Sequence, residues 1–513
     1  MCTTIHELVA ILQALYMWYN YRDMHPRLSR KKELAKRTVV YLVMTASMIT
    51  LLGLLMLLVL GYQFDLKNRS VEQMGLVQYD SSPRSATVSV DGTVLGGKTQ
   101  TKGSVLPGKR QFAMQLAGYE SWQKTLDISA GVVTWLSYPR LVPTERRIVT
   151  TYETTGLQTT LAAPNGRYMA LWQVEDGVPR FGIVDVRSSD RPVIDKYEPT
   201  TEQLGGLDSA HPAETHGFSL KSWSRNSRYI IATHEYQRAG QEAQVEWLWI
   251  DRESPSSMVN LTNLFGLGLT DVKPLDNRSV FILSSDDVRE ASVSTGSISK
   301  PLITGVRSFD TYTDDVVTYI ATDATNVSAG VWRRGSPGPV VVANVPVDGE
   351  SIRIAASRYF NKDTIAVSIG RQVTFYRGDI PTSEAGVAAL LRTATDFTFN
   401  HPVEHLQFNR SGQFLVAEDD KGFVSYDLER AEVSQNVQKY STGAIDWLDA
   451  HHVTQVDSSG ELIMQEFDGL NATRLMPIVA SHAHLLTQDG KYVYGWQEQD
   501  GTVMLRRLSM TIQ

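Results

Sequence analysis

The chain has a single cysteine, Cys2, in 513 residues. No intrachain disulfide and no cysteine-built zinc or iron–sulfur centre can form from it, so stability has to come from ordinary burial. No apolar signal segment precedes Cys2, as a cleavable lipoprotein signal would require. Missing as well are the H-E-x-x-H, P-loop, G-x-G-x-x-G and EF-hand patterns, which leaves zinc-protease, nucleotide and calcium-loop chemistry unsupported. The nearest approach to a nucleophile elbow, Ala366-Val367-Ser368-Ile369-Gly370, lacks the first glycine. Excess positive charge is absent too: 49 Lys+Arg face 56 Asp+Glu for a formal charge of −7. That balance argues against nucleic acid as a partner, because phosphate binding needs spare cations.

What is present is a folded chain of several parts. Apolar residues make up 42% and charged residues 20% of the sequence, and the length implies two to four structural units. The charge is unevenly placed. Residues 1–37 carry Arg22, Arg27, Arg30, Lys31, Lys32, Lys36 and Arg37 against Glu7, Asp23 and Glu33. Thr38–Phe64 then runs for 27 residues without a charge, about 40 Å as a helix and enough to cross a hydrocarbon core of about 30 Å. The basic cluster before it keeps the N-terminus cytoplasmic and places 65–513 outside, in type II orientation. With no small-x-small cleavage motif at Gly61–Asp65, the segment reads as a signal anchor. Ile5–Tyr21 is apolar at helical spacing and rich in aromatics, which suits a helix lying on the inner membrane face or one that docks a cytoplasmic partner.

After a linker at 65–80, short strands are expected. Ala86, Val88 and Val90 alternate with Thr87 and Ser89, the period of a half-buried strand, and Asp91-Gly92 supplies a tight turn. Leu106-Pro107-Gly108 and Ala117-Gly118-Tyr119 mark further turns, ahead of Phe112, Met114 and Leu116 and of Trp122, Leu126 and Ile128 respectively. The pattern formed by Ser82, Pro83, Ala86, Val88, Val90, Asp91, Gly92, Gly96, Gly108, Gly118, Tyr119 and Trp122 resembles the bacterial PEGA domain over 81–143. It departs at Lys98-Thr99-Gln100-Thr101, where the family usually has Thr-Pro. The resemblance implies a surface-exposed β-sandwich of the envelope with no chemistry of its own. Asp91 and Gly92 are read as turn formers rather than a metal site.

From 148 to 513 the text repeats weakly. Turns lead into strands at Asn165-Gly166-Arg167-Tyr168, Asn226-Ser227-Arg228-Tyr229, Asp276-Asn277-Arg278-Ser279-Val280, Arg410-Ser411-Gly412-Gln413-Phe414 and Asp489-Gly490-Lys491-Tyr492. Apolar segments that end on an aspartate, Phe181–Asp185, Trp247–Asp251 and Phe423–Asp427, are expected as the next strand of the same sheet. Intervals of about 40–60 residues fit the four-stranded blades of a β-propeller. The chain is similar to loose WD40-like and TolB-like propellers in architecture, without the Gly-His and Trp-Asp pairs of the strict repeat. The fold class is therefore mainly β: N-terminal helices, a small PEGA-like β-sandwich, then a seven- or eight-bladed β-propeller. Two β-sandwiches in series are the competing arrangement. Ser383–Thr395 reads as a helix inserted between blades.

No catalytic, cofactor-binding or metal residue stands out, and the ligand-binding residues are not legible. His211, His216, His234, His401, His405, His451, His452, His482 and His484 are the candidate ligands; His482 and His484 could share a cation from one strand face but read better as an exposed loop. Trp223, Trp247, Trp249, Trp447 and Trp496 could stack on a sugar, although strand periodicity favours blade packing. These observations lead us to expect a membrane-anchored binding or scaffold protein of the cell envelope, not an enzyme. Its partners would be peptidoglycan or envelope proteins. A glycan lyase or lactonase of propeller type, and a transmembrane sensor, are the alternatives.

Overall fold

The computed structural model describes residues 30–59, 61–65, 70–187, 191–207, 213–391, 394–441 and 443–512. The Ile5–Tyr21 segment and His211 lie outside them. The chain forms two compact units. One takes Thr101–Gln111 and Thr125–Leu136 together with the residues up to Tyr79; the other takes Asp80–Gln100, Phe112–Lys124 and Ser137–Gln513.

In the first unit Arg30–Val59 is one helix. Its stretch Lys32–Leu57 buries none of its side chains within the protein, and Leu42, Met48 and Ile49 are each more than 60% exposed. The helix stops before the apolar run does: Gly61 takes a φ of 82°, and Tyr62–Asp65 turns into an antiparallel hairpin with Ser70–Gln73. The span expected at 38–64 thus gives up its last residues to a strand. The expected linker at 65–80 also carries Gly75–Tyr79, the central strand of a three-stranded sheet. It pairs antiparallel with Thr101–Val105 and parallel with Val133–Leu136. Val77 and Tyr79 alternate into its core at 0% and 1% exposure, a period-two signal that lies just before the Ser81 at which the motif begins.

In the second unit Thr87–Val90 and Thr93–Lys98 form the expected hairpin. Asp91 (φ 48°) and Gly92 (φ 77°) both take positive φ, as a two-residue turn that matches strand twist demands. Eight sheets follow among the described residues. Seven are built from consecutive strands within 157–197, 215–260, 271–292, 306–346, 352–398, 405–438 and 446–477. The eighth combines Leu485–Leu486, Tyr492–Gln499 and Thr502–Ser509 with Ile148–Thr154, so an early strand supplies its outer edge. The strands run antiparallel in simple order, and the third sheet has three. First strands of successive sheets lie side by side from the first sheet to the sixth. This is an eight-bladed β-propeller.

Each middle strand is covered on both faces by neighbouring blades, which is why the sequence there does not alternate. Tyr168–Glu175 opens with six buried residues in succession, and all of Phe414–Glu418 is buried. Packing between blades is specific: Trp172 stacks on Phe218 of the next blade with ring centroids 4.1 Å apart. The helix expected over 383–395 is found at Glu384–Leu391. It connects the third and fourth strands of the fifth blade rather than two blades, at an outer edge where a longer connection costs little.

Candidate binding site at the channel mouth

The turn-and-strand repeats all occupy one structural position, the connection from first to second strand in blades one, two, three, six and eight. Each bends through a positive φ, at Gly166, Ser227, Arg278, Gly412 and Gly490. Asn226 Oδ1 accepts the Arg228 N–H at 2.9 Å, and Asn165 Oδ1 accepts the Arg167 N–H at 3.0 Å, which fixes the turn locally. The turns also join blade to blade. Asn165 N–H donates to Ser227 Oγ (3.1 Å), Asn226 N–H to Asp276 Oδ1 (2.9 Å) and Asp276 N–H to Asp314 Oδ2 (3.0 Å). Farther round, Asn409 Nδ2 donates to the Ala450 carbonyl at 2.7 Å.

Inside this ring of turns lies a cavity of about 480 Å³, walled by the first strands of blades two to six and the turns that follow them. Its polar side chains include Ser222, Arg225, Lys273, Asp310, Asp314 and Arg410, with Trp223 and Tyr312 as the aromatic surfaces. Burial and the nearby Asp363 push the Tyr312 hydroxyl up to about 12. Burial also raises the Asp314 carboxyl above its ordinary range, against the hydrogen bond it accepts from Asp276. Lys273 is paired with Asp271 at 3.4 Å. Arg225 lies over the Tyr312 ring, 5.8 Å from its centroid. Arg410 is exposed to solvent, with enough protein around its guanidinium to lower its pKa. Among the described residues Arg410 has no hydrogen-bond or ion-pair partner, and the Ser222 hydroxyl is buried without one.

Among the described residues, none of the candidate histidines lines this cavity. His234 is fully buried, its Nε2 2.9 Å from His216 Nδ1 and its Nδ1 3.2 Å from Glu246 Oε2. This string is engaged within its own blade, stacked on Phe218 and Tyr236. His401 pairs with Asp419, and His452 with Asp449. His405 is exposed at the start of its strand. His451 stacks on Tyr138. His482 and His484, expected on an exposed loop, are instead packed: His482 lies edge-on to Trp496, and His484 Nε2 is 2.7 Å from Thr454 Oγ1. Ala483 between them packs against the buried cluster of Leu485, Tyr494 and Trp496, which holds the segment in. No group of three or more His, Cys, Asp or Glu among the described residues is arranged to hold a metal.

Of the five tryptophans, Trp223 lines the cavity. Trp249 and Trp496 are wholly buried, Trp247 is nearly so, and Trp447 packs beside Phe414. Sequence reasoning missed Arg225 and Ser222, and it saw Arg410 only as part of a turn. Both arginines stand two residues past the end of the first strand, and that recurrence was the available signal.

The PEGA domain family matches residues 74–144. No curated protein is similar to the chain. Among solved structures, apo AztD from Citrobacter koseri aligns with 72% of this chain and 92% of its own at 9% identity and a TM-score of 0.37. The Dos1 propeller aligns over 71% and 95% at 10% identity and 0.40, and an oligogalacturonate lyase in complex with manganese over 72% and 98% at 11% and 0.36. Likenesses this loose carry no functional inference. Residues 74–144 are a PEGA domain, and the eight sheets of the larger unit make this a PEGA-domain protein with a C-terminal β-propeller.

Proposed function

We propose that the protein is a single-pass, membrane-anchored binding protein of the cell envelope that presents its propeller to cell-wall glycan or to another envelope protein, without catalysing a reaction. The observation that carries this reading is the helix Arg30–Val59. Its apolar side chains find no partner within the protein, and such a surface is stable only in another apolar phase. Arg30, Lys31, Lys32, Lys36 and Arg37 at its start orient it with the N-terminus in the cytoplasm. The propeller then offers a mouth lined by polar and charged side chains, suited to a hydroxylated or ionic ligand rather than an apolar one.

The test uses the full-length protein in nanodiscs, offered to purified peptidoglycan and to envelope extract. Retention on peptidoglycan, or capture of a defined envelope protein, supports the proposal. Turnover of glycans or lactones that is lost when Asp310 or Asp314 is changed to Asn would replace it with an enzyme. Protease added to spheroplasts should digest the region after residue 65, and protection of that region would reverse the orientation.

A further inference from the structure

Resting on that reading, we propose that the channel mouth recognises a carboxylate-bearing sugar, with Arg410 as the seat of the carboxylate and Ser222 as a hydroxyl contact. Some arginines elsewhere in the propeller close on acids, while others, such as Arg353 on backbone carbonyls and Arg278 on the Trp249 ring, do not. Arg228 holds Asp251 through Nε at 3.1 Å and Nη2 at 2.8 Å, and Arg334 reaches both Glu290 (2.6 Å) and Asp315 (3.0 Å). In the cavity this arrangement is missing. Arg410 has no acid, and Arg225 has a ring face in place of one.

The acids present in the cavity are differently committed. Asp314 accepts the backbone N–H of Asp276 and attracts Arg225, Lys273 is served by Asp271, and Asp310 lines the same cavity, which leaves Arg410 as the cation there without a paired acid. A guanidinium that loses part of its hydration in a concave site gains most from a bidentate acid, and the chain supplies none. The Ser222 hydroxyl, buried with no partner, is a second unmet polar group, across the cavity on blade two. Trp223 and Tyr312 bring ring surface for the apolar face of a pyranose. The volume, about 480 Å³, lies within the usual range for small-molecule sites and accommodates a monosaccharide unit.

N-acetylmuramate and N-acetylglucosamine separate the elements of this proposal, since they share the amino sugar and differ by a lactyl carboxylate. Each is titrated into the full-length protein in nanodiscs and followed by saturation-transfer NMR. N-acetylmuramate should bind at least about tenfold more tightly than N-acetylglucosamine, and the difference should shrink with added salt. Arg410→Gln should abolish the preference. Ser222→Ala should weaken both sugars by a smaller factor. Arg307→Gln, which removes the same charge from outside the cavity, should change neither. Equal binding of the two sugars, binding of neither, or an unchanged preference in Arg410→Gln overturns the proposal. If peptidoglycan is retained equally by wild type and Arg410→Gln, the binding function stands and this site assignment falls. If Arg410 discriminates the sugars but peptidoglycan is not retained, the site stands and the glycan-docking role falls.

Discussion

The Lys124 ammonium lies 2.6 Å from a Glu466 carboxylate oxygen, and the two side chains are 4% and 1% exposed. Asp468 approaches the same nitrogen at 2.7 Å, while Asn471 and the Trp122 indole N–H donate to Glu466. Burial alone would strip the ammonium of its charge. Glu466, with Tyr138 and Asp468, more than offsets this and holds the lysine above its ordinary range. Replacing Lys124 with Met strands two acids in the interior, at a cost of about 3–5 kcal/mol. The urea midpoint should fall sharply, and adding Glu466→Gln should recover part of the loss. A wild-type midpoint in Lys124→Met would show that the pair is not closed in solution.

Acid should weaken the propeller through His451. Its ring is stacked on Tyr138 at 5.1 Å and lies edge-on to Phe414, and burial brings its pKa down to about 4. The unfolded chain protonates this residue near 6.5, so the unfolded state takes up the proton first. Stability is therefore full above about pH 6.5 and is lost as the pH falls toward 4, by roughly 3 kcal/mol from this group. His451→Phe keeps the ring contacts and should flatten that part of a stability-versus-pH curve. His216, His482 and His484 are shifted in the same direction, so some slope should persist.

Two glycines of equal φ should respond differently to alanine. Gly412 (φ 75°) would put a Cβ 2.3 Å from the Arg358 carbonyl oxygen of the neighbouring blade, whereas Gly501 (φ 76°) faces open space. Gly501→Ala should cost about 1–2 kcal/mol, the left-handed penalty alone. Gly412→Ala must also displace a backbone, so thermal unfolding should separate the two variants clearly. Similar melting of both would mean that the turns do not touch across blades.

The helix Arg30–Val59 should keep the chain in the membrane pellet under alkaline carbonate. An arginine at Leu51, in the middle of the apolar stretch, costs about 2.5–3.5 kcal/mol of insertion and should shift protein to the supernatant. Complete extraction of the wild-type chain would contradict the anchor.

Much of the propeller was legible because its repeats pair with one another. The aromatic that follows each turn sits in register with the aspartate that closes the next strand: Tyr168 with Asp185, Tyr229 with Asp251, Phe414 with Asp427. Sequence spacing captured that local relation. Long-range relations were not legible. Nothing around Asn226 says that its N–H will meet Asp276 of the next blade, because that contact depends on how two sheets are placed. The same limit hid the site. Arg410 reads as one more turn residue until five first strands are set around an axis, and only then does its lack of an acid become visible. The strand Gly75–Tyr79 was missed for a simpler reason, since the first of its three buried positions is a glycine with no side chain to show the alternation.

The eighth blade imposes a schedule on biosynthesis. Ile148–Thr154 finds its partner only in Thr502–Ser509, and Thr151 Oγ1 donates to the Leu505 carbonyl across a separation of 354 residues. At ribosomal speeds of about 5–20 residues per second, the first of these strands waits tens of seconds for the second. Throughout that interval its backbone edge is open to pairing with another chain, a hazard that an attendant chaperone or a delayed collapse would have to cover. Ring closure thus cannot precede synthesis of Thr502–Ser509, and folding faults should surface as misjoined intermediates rather than as a propeller lacking one blade.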